Sequence, residues 1–168
     1  ISVSAQGFPK KALASVTEER ARNIVGFLAD DLLQGRDAGM QGGYLAAEYI
    51  VSLFKEWGVE PFLESGYCQP FTAVKNVNNW LTEADRDIAP LIADGCETRQ
   101  LRNILAVIPG KEDGIVVVGA HYDHLGIDAT LQGDSCFNGA DDNASGVSAV
   151  LQIARAITII LNVDATNE

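Results

Sequence analysis

Residues 114–120 read Gly-Ile-Val-Val-Val-Gly-Ala, a run of β-branched side chains with no polar residue alternating among them. A strand with that pattern is buried on both faces, so the run predicts the middle of a sheet covered by helices. A helical pattern follows from Ser145 to Ile157, with Val147, Val150, Leu151 and Ala154 at inward-facing spacing. Strand, loop and helix in that order form half of a βαβ unit, and the expected fold class is α/β.

The N-terminal third predicts helices. After an irregular lead-in over residues 1–14, Ser15 and Glu18 form a capping-box pattern. Ala21, Ile24, Val25, Leu28 and Leu32 then recur at helical spacing, and Gly35-Arg36-Asp37-Ala38-Gly39 reads as a turn. A second helix is expected from Gly43 to Trp57, stopped by Gly58. Residues 59–100 hold Pro61, Pro70 and Pro90, which predicts a short strand at 60–63 and otherwise loops or a small hairpin. Leu101–Ile108 reads as a strand ended by Pro109-Gly110.

Composition narrows the function. Lys plus Arg is 12 against 23 Asp plus Glu, for a formal net charge of −11. An acidic surface repels phosphate backbones and anionic lipid, so nucleic acid is excluded as a partner. No uninterrupted apolar run reaches the roughly 20 residues that cross a bilayer, so membrane insertion is not expected. Cys68, Cys96 and Cys136 are too few for a disulfide framework, and no CxxC pair is present.

The chemistry concentrates in Gly119-Ala-His-Tyr-Asp-His-Leu-Gly126 and Asn138-Gly-Ala-Asp-Asp-Asn-Ala-Ser-Gly146. Ligands bind beyond the C-terminal ends of strands in open α/β sheets, and His121 stands where the apolar run stops. Asp123 is close enough in sequence to hold one imidazole nitrogen of His121 and leave the other for a metal. Asp141 and Asp142 repel one another when partly buried, and a divalent cation removes that repulsion. The same Asp141-Asp142-Asn143 triplet also has the composition of a helix N-terminal cap. His124 reads as a loop residue.

These two stretches resemble the zinc-dependent M28 aminopeptidases, a co-catalytic di-zinc exopeptidase family. Leu32–Gly39, the helix holding Ala46-Ala47-Glu48-Tyr49-Ile50, and Gln69-Pro70-Phe71 resemble the lead-in of many members. The resemblance covers about 17–71 and 101–157. It assigns nothing to 72–100, which is too short for the protease-associated domain that some members insert.

The resemblance implies a single peptidase-like domain over 1–168, built as a three-layer α/β/α sandwich around a mostly parallel sheet and incomplete at its C-terminal side. It implies two Zn2+ ions, a peptide substrate and release of N-terminal residues. His121 would ligate one metal, Asp123 would be the catalytic residue that orients it, Asp141 would bridge the two metals, and Asp142 would be a neighbouring support or cap and not a ligand. Many members are exported, so a secreted or periplasmic location is expected. The sequence begins at Ile1 and not at Met, so removal of a signal peptide, a longer N-terminus or a tag ahead of it is expected. Members carry a Glu-Glu pair and a further His after the helix, and this chain has neither. Leu161-Asn162-Val163-Asp164 resembles a later strand whose Asp is a ligand; a polar tail is the other reading of Asp164. The residues present would then supply part of a di-zinc site. Two further readings remain open: a non-catalytic module of the same fold, and an acyl transferase of the glutaminyl-cyclase kind.

Overall fold

The computed structural model describes residues 10–165, with side chains to residue 162. The chain is a mixture of helix and sheet. A short helix α1 (Lys10–Leu13) leads into α2 (Glu18–Leu28), so helix begins inside the stretch read as irregular. The cap of α2 is Thr17, whose Oγ1 accepts from the Arg20 amide at 3.2 Å, while Ser15 turns back to donate to the Ala12 carbonyl. Helix α2 ends at Leu28, a turn earlier than its apolar spacing predicts. Asp30 starts a separate 3-10 turn over Asp31–Arg36 by accepting from the Leu32 amide.

Helix α3 spans Gln41–Trp57 and stops at Gly58, whose φ of 70° is the left-handed value that glycine adopts without strain. The α3 face bearing Ala46, Ile50 and Phe54 packs against Ile24 and Leu28 of α2 and against Val147 and Leu151 of α5 (Ser145–Ala165). Burial of these side chains is the main source of stability for the helical layer. Gln152 is also buried here, and its Oε1 accepts from the Thr17 amide at 2.9 Å.

Strand β1 (Glu60–Pro61) pairs with β5 (Ala106–Val107). Strands β2 (Cys68–Asn76), β3 (Asn79–Thr82) and β4 (Thr98–Ile104) form a three-stranded antiparallel sheet in the order β3-β2-β4. The stretch expected to hold loops or a small hairpin contains the β2–β3 hairpin, joined by a two-residue turn at Val77-Asn78 with φ 54° at Val77, and β4 extends it to a three-stranded sheet. A short helix α4 (Ala89–Ala93) links β3 to β4. Arg99 anchors the sheet to the turn after Arg36 through a 2.7 Å ion pair with Asp37. Strands β6 (Gly126–Ile127) and β7 (Cys136–Phe137) make a third small pairing.

Two expectations need correction. Every named strand pair among the described residues is antiparallel, so the mostly parallel central sheet is not what they form. Residues 114–120 are not paired as a strand, and Ile115, Val116 and Val117 are 91%, 90% and 86% exposed. Among the described residues no strand lies beside them, so the run lacks there the partners that would make it an inner strand. The second correction concerns 158–165, which continue α5 as helix where Leu161–Asp164 resembles a strand. The Asp164 side chain lies outside the described residues, as does Glu168. With its opening turn, the helix over Ala140–Asn162 is long and apolar enough to cross a membrane by length and composition. Its Val147 and Leu151 are instead spent in the core.

The packing gives a stability prediction. Leu151→Ala leaves a cavity at a residue 1% exposed and should cost about 2–5 kcal/mol. Ile153→Ala, on the open face of the same helix, should cost about 0.5 kcal/mol or less. Urea unfolding of the two variants checks the difference; equal midpoints would contradict this account of the core.

Candidate metal centre

The site forms where the chain leaves the apolar run and where it enters α5. Gly139, at φ 58°, turns the backbone into a single π-type turn over Ala140–Ala144. Asp142 (φ −111°, ψ 90°) and Asn143 (φ −133°, ψ 39°) are not helical, so their side chains leave the turn in different directions. Wide turns of this kind recur at functional sites.

The three acidic and amide residues divide the work. Asn143 Oδ1 accepts from the Gly146 amide at 3.1 Å and caps α5. Asp141 accepts from the Ser145 hydroxyl through its main-chain oxygen at 2.9 Å, and its carboxylate makes no ion pair with either histidine. Asp142 faces the imidazoles: Oδ1 is 3.0 Å from His121 Nε2, and Oδ2 is 3.9 Å from His124 Nδ1. The residue brought to His121 is therefore Asp142, not Asp141 as the resemblance implied. The backbone angles at Asp142 and Asn143 decide this, and neighbouring identical residues carry no such information in their sequence.

On the other side of the ring, His121 Nδ1 lies 3.1 Å from the Asp123 main-chain oxygen and 3.6 Å from its Oδ1. Nδ1–H donating to Asp123 leaves the Nε2 lone pair aimed at a carboxylate oxygen. Two acceptors at 3.0 Å need a proton or a cation between them. An imidazole nitrogen and a carboxylate oxygen on one tetrahedral zinc lie about 3.4 Å apart, so a small carboxylate movement suffices. Among the described residues, no three His, Cys, Asp or Glu side chains converge on a metal position. The fit is thus to two donors of one cation. Burial, then Asp31 and Asp134, push the Cys136 thiol up.

Beneath the two loops sits Arg36, which the sequence shows only as part of a turn. Its side chain is fully buried and its donors go to main-chain carbonyls: Tyr122 at 2.8 Å from Nε, Gly139 at 2.9 Å from Nη2, and Asn138 and Leu28 from Nη1. Burial lowers its guanidinium below the ordinary value, and Asp123, Cys136 and Asp142 oppose that. Asn138 adds 2.7 Å bonds from Nδ2 to the Ala29 oxygen and to Asp31. Arg36 and Asn138 are the site-forming residues that sequence reasoning missed; an Arg set between glycines in a turn was the available signal.

Tyr122 stands between the two site residues of its loop and donates to the Arg102 carbonyl at 2.7 Å. Burial pushes its hydroxyl up to about 12, opposed by Arg102. A raised pKa means the folded state holds the proton more tightly. Its stabilising contribution is whole below pH 10 and is lost as pH rises from 10 to about 12. Tyr122→Phe should cost about 1 kcal/mol at neutral pH and flatten this alkaline loss. Urea midpoints measured across pH 8–12 (roughly the window set by the shift) check it; an unchanged alkaline slope in the variant would contradict it.

Residues 103–163 match Peptidase family M28. The chain is 31% identical over 97 residues to a probable leucine aminopeptidase of Trichophyton verrucosum (strain HKI 0517), covering 54% of this chain and 26% of that protein. It is 28% identical over 121 residues to a probable leucine aminopeptidase of Arthroderma otae (strain ATCC MYA-4605 / CBS 113480), covering 68% of this chain and 32% of the relative. With leucine aminopeptidase 1 of Metarhizium robertsii (strain ARSEF 23 / ATCC MYA-3075) it shares 27% identity over 84 residues, or 50% of the chain and 21% of the relative. The matched stretch thus spans about a third or less of each of these relatives. No solved structure matches the chain. Residues 103–163, which hold both loops of the site, are thus the part of the chain that is similar to peptidase family M28.

Proposed function

We propose that this chain contributes part of the active site of a zinc-dependent aminopeptidase, with peptides as substrate. The observation that carries this reading is the 3.0 Å approach of His121 Nε2 to Asp142, with the other ring nitrogen held by Asp123. In this reading His121 and Asp142 are ligands, with Asp142 in the bridging role, and Asp123 fixes the tautomer that frees Nε2. Zinc, where bound, supplies Lewis acidity toward a carbonyl and lowers the pKa of water, and a pair of ions does both. The names of the relatives support release of N-terminal residues.

The same reading gives a role to the exposed apolar run. We propose that residues 114–120 become an inner strand of a three-layer α/β/α sandwich when further strands are present. Val116 and Val117, both more than four-fifths exposed, support it, because apolar surface of that extent is stable only when covered. Hydrogen exchange of amides 115–118 in a longer protein holding this segment tests it; fast exchange there would contradict it.

Two donors limit the chemistry of the chain as it stands. A catalytic zinc has three protein ligands. No Glu occurs between Glu112 and Glu168, so no nearby glutamate follows the site loops as general base. The loss of a general base costs about 10²–10⁴-fold in rate. Zinc should bind with Kd on the order of 10–100 µM, half or less of the binding free energy of a four-ligand site. Calorimetry should show that Asp142→Asn and His121→Ala abolish this binding, while Asp141→Asn changes it less than about three-fold (roughly 0.6 kcal/mol). An aminoacyl-nitroanilide assay should show only slow zinc-dependent release. Zinc affinity that survives Asp142→Asn would overturn the ligand assignment; rapid turnover would overturn the partial-site reading.

A further inference from the structure

We infer that Arg36 is the positioning residue of this centre, holding the loop of His121 and the loop of Asp142 in register through main-chain carbonyls. The inference rests on the proposed function for what the loops hold, and on the geometry alone for how they are held. Nε takes the Tyr122 carbonyl, next to both His121 and Asp123. Nη1 and Nη2 take the carbonyls of Asn138 and Gly139, at the entry to the turn that carries Asp142. The fourth acceptor, Leu28, is the last residue of α2 and ties the same fork to the helical layer. The backbone of Arg36 joins in, since its carbonyl accepts from the His124 amide at 3.1 Å.

The chemistry requires arginine. A guanidinium has five donors in one fixed plane, and carbonyls from separate segments can share it without moving relative to one another. Lysine offers one nitrogen and cannot reach every segment. A buried cation is tolerated only when hydrogen-bonded, so a loop that moves away leaves an unsatisfied charge. The arrangement thereby opposes independent motion of the two loops. Gly139 marks the closeness of the approach: a Cβ there would lie 2.7 Å from Arg36 Nη2 and 2.6 Å from His124 Cδ2.

The test compares amide exchange in the metal-free chain with zinc affinity. In Arg36→Lys and Gly139→Ala, the amides of His124 and Ala144 should exchange at least about ten-fold faster. Val74→Ala, in the β2 sheet, should lower the melting temperature and leave those two amides within about three-fold of wild type. Guanidinium at a few millimolar should restore protection in Arg36→Ala, and a failure of Arg36→Ala to fold leaves the Lys and Gly139 variants to decide. Wild-type exchange in Arg36→Lys, or equal loosening in Val74→Ala, overturns the inference. A zinc affinity the same in Arg36→Lys as in wild type also overturns it. Wild-type chain that binds no zinc overturns the proposed function instead, and the exchange result still decides the role of Arg36.

Discussion

A single buried guanidinium sets the geometry on which the site depends. Arg36 carries no carboxylate on its donors; main-chain carbonyls from three separate segments fill them. Desolvation of the cation is offset by charge-assisted hydrogen bonds. The helical layer beneath supplies the fixed end, because Leu28 is at once a core residue and, through its carbonyl, an acceptor for the fork. From that point outward, the positions of Tyr122 and Gly139 follow, and with them the placement of the loop of His121 and of the turn that carries Asp142.

The turn before α5 shows how one short sequence serves two needs. A helix start wants an oxygen to cap its free amides, and a cation wants a carboxylate. Asn143 meets the first need and leaves Asp142 facing His121 at 3.0 Å, where it would meet the second in the proposed zinc site. A neutral amide caps without adding to local charge, which matters in a chain of net charge −11. The exposed Val116 and Val117 lie just upstream, so the site sits at the end of a segment whose apolar side chains have no cover among the described residues.

Much of the helical layer was legible in the sequence. The spacing of Ile24 and Leu28, the face of α3 and the glycine at 58 are local signals, and local physics decides them. The meeting of the loop after residue 120 with the turn before α5 was legible as well. What escaped depends on non-local or fine-grained features. The alternation in Cys68–Asn76 is interrupted by Pro70, so its sheet is stabilised by pairing more than by pattern. Ile159, Ile160 and Val163 look like strand residues, yet they extend a helix already nucleated at Ser145. Which of two adjacent aspartates faces a histidine is settled by backbone angles alone. The reach of Arg36 spans 86 and 103 positions to Tyr122 and Gly139, and no pattern within a window shows it.

Anomalous diffraction at the zinc edge from crystals of the chain soaked in zinc tests the central claim most directly. A peak about 2.0–2.2 Å from both His121 Nε2 and an Asp142 carboxylate oxygen is the predicted result. A peak on Asp141 with Asp142 turned away, or zinc bound only at sites remote from His121, would contradict it.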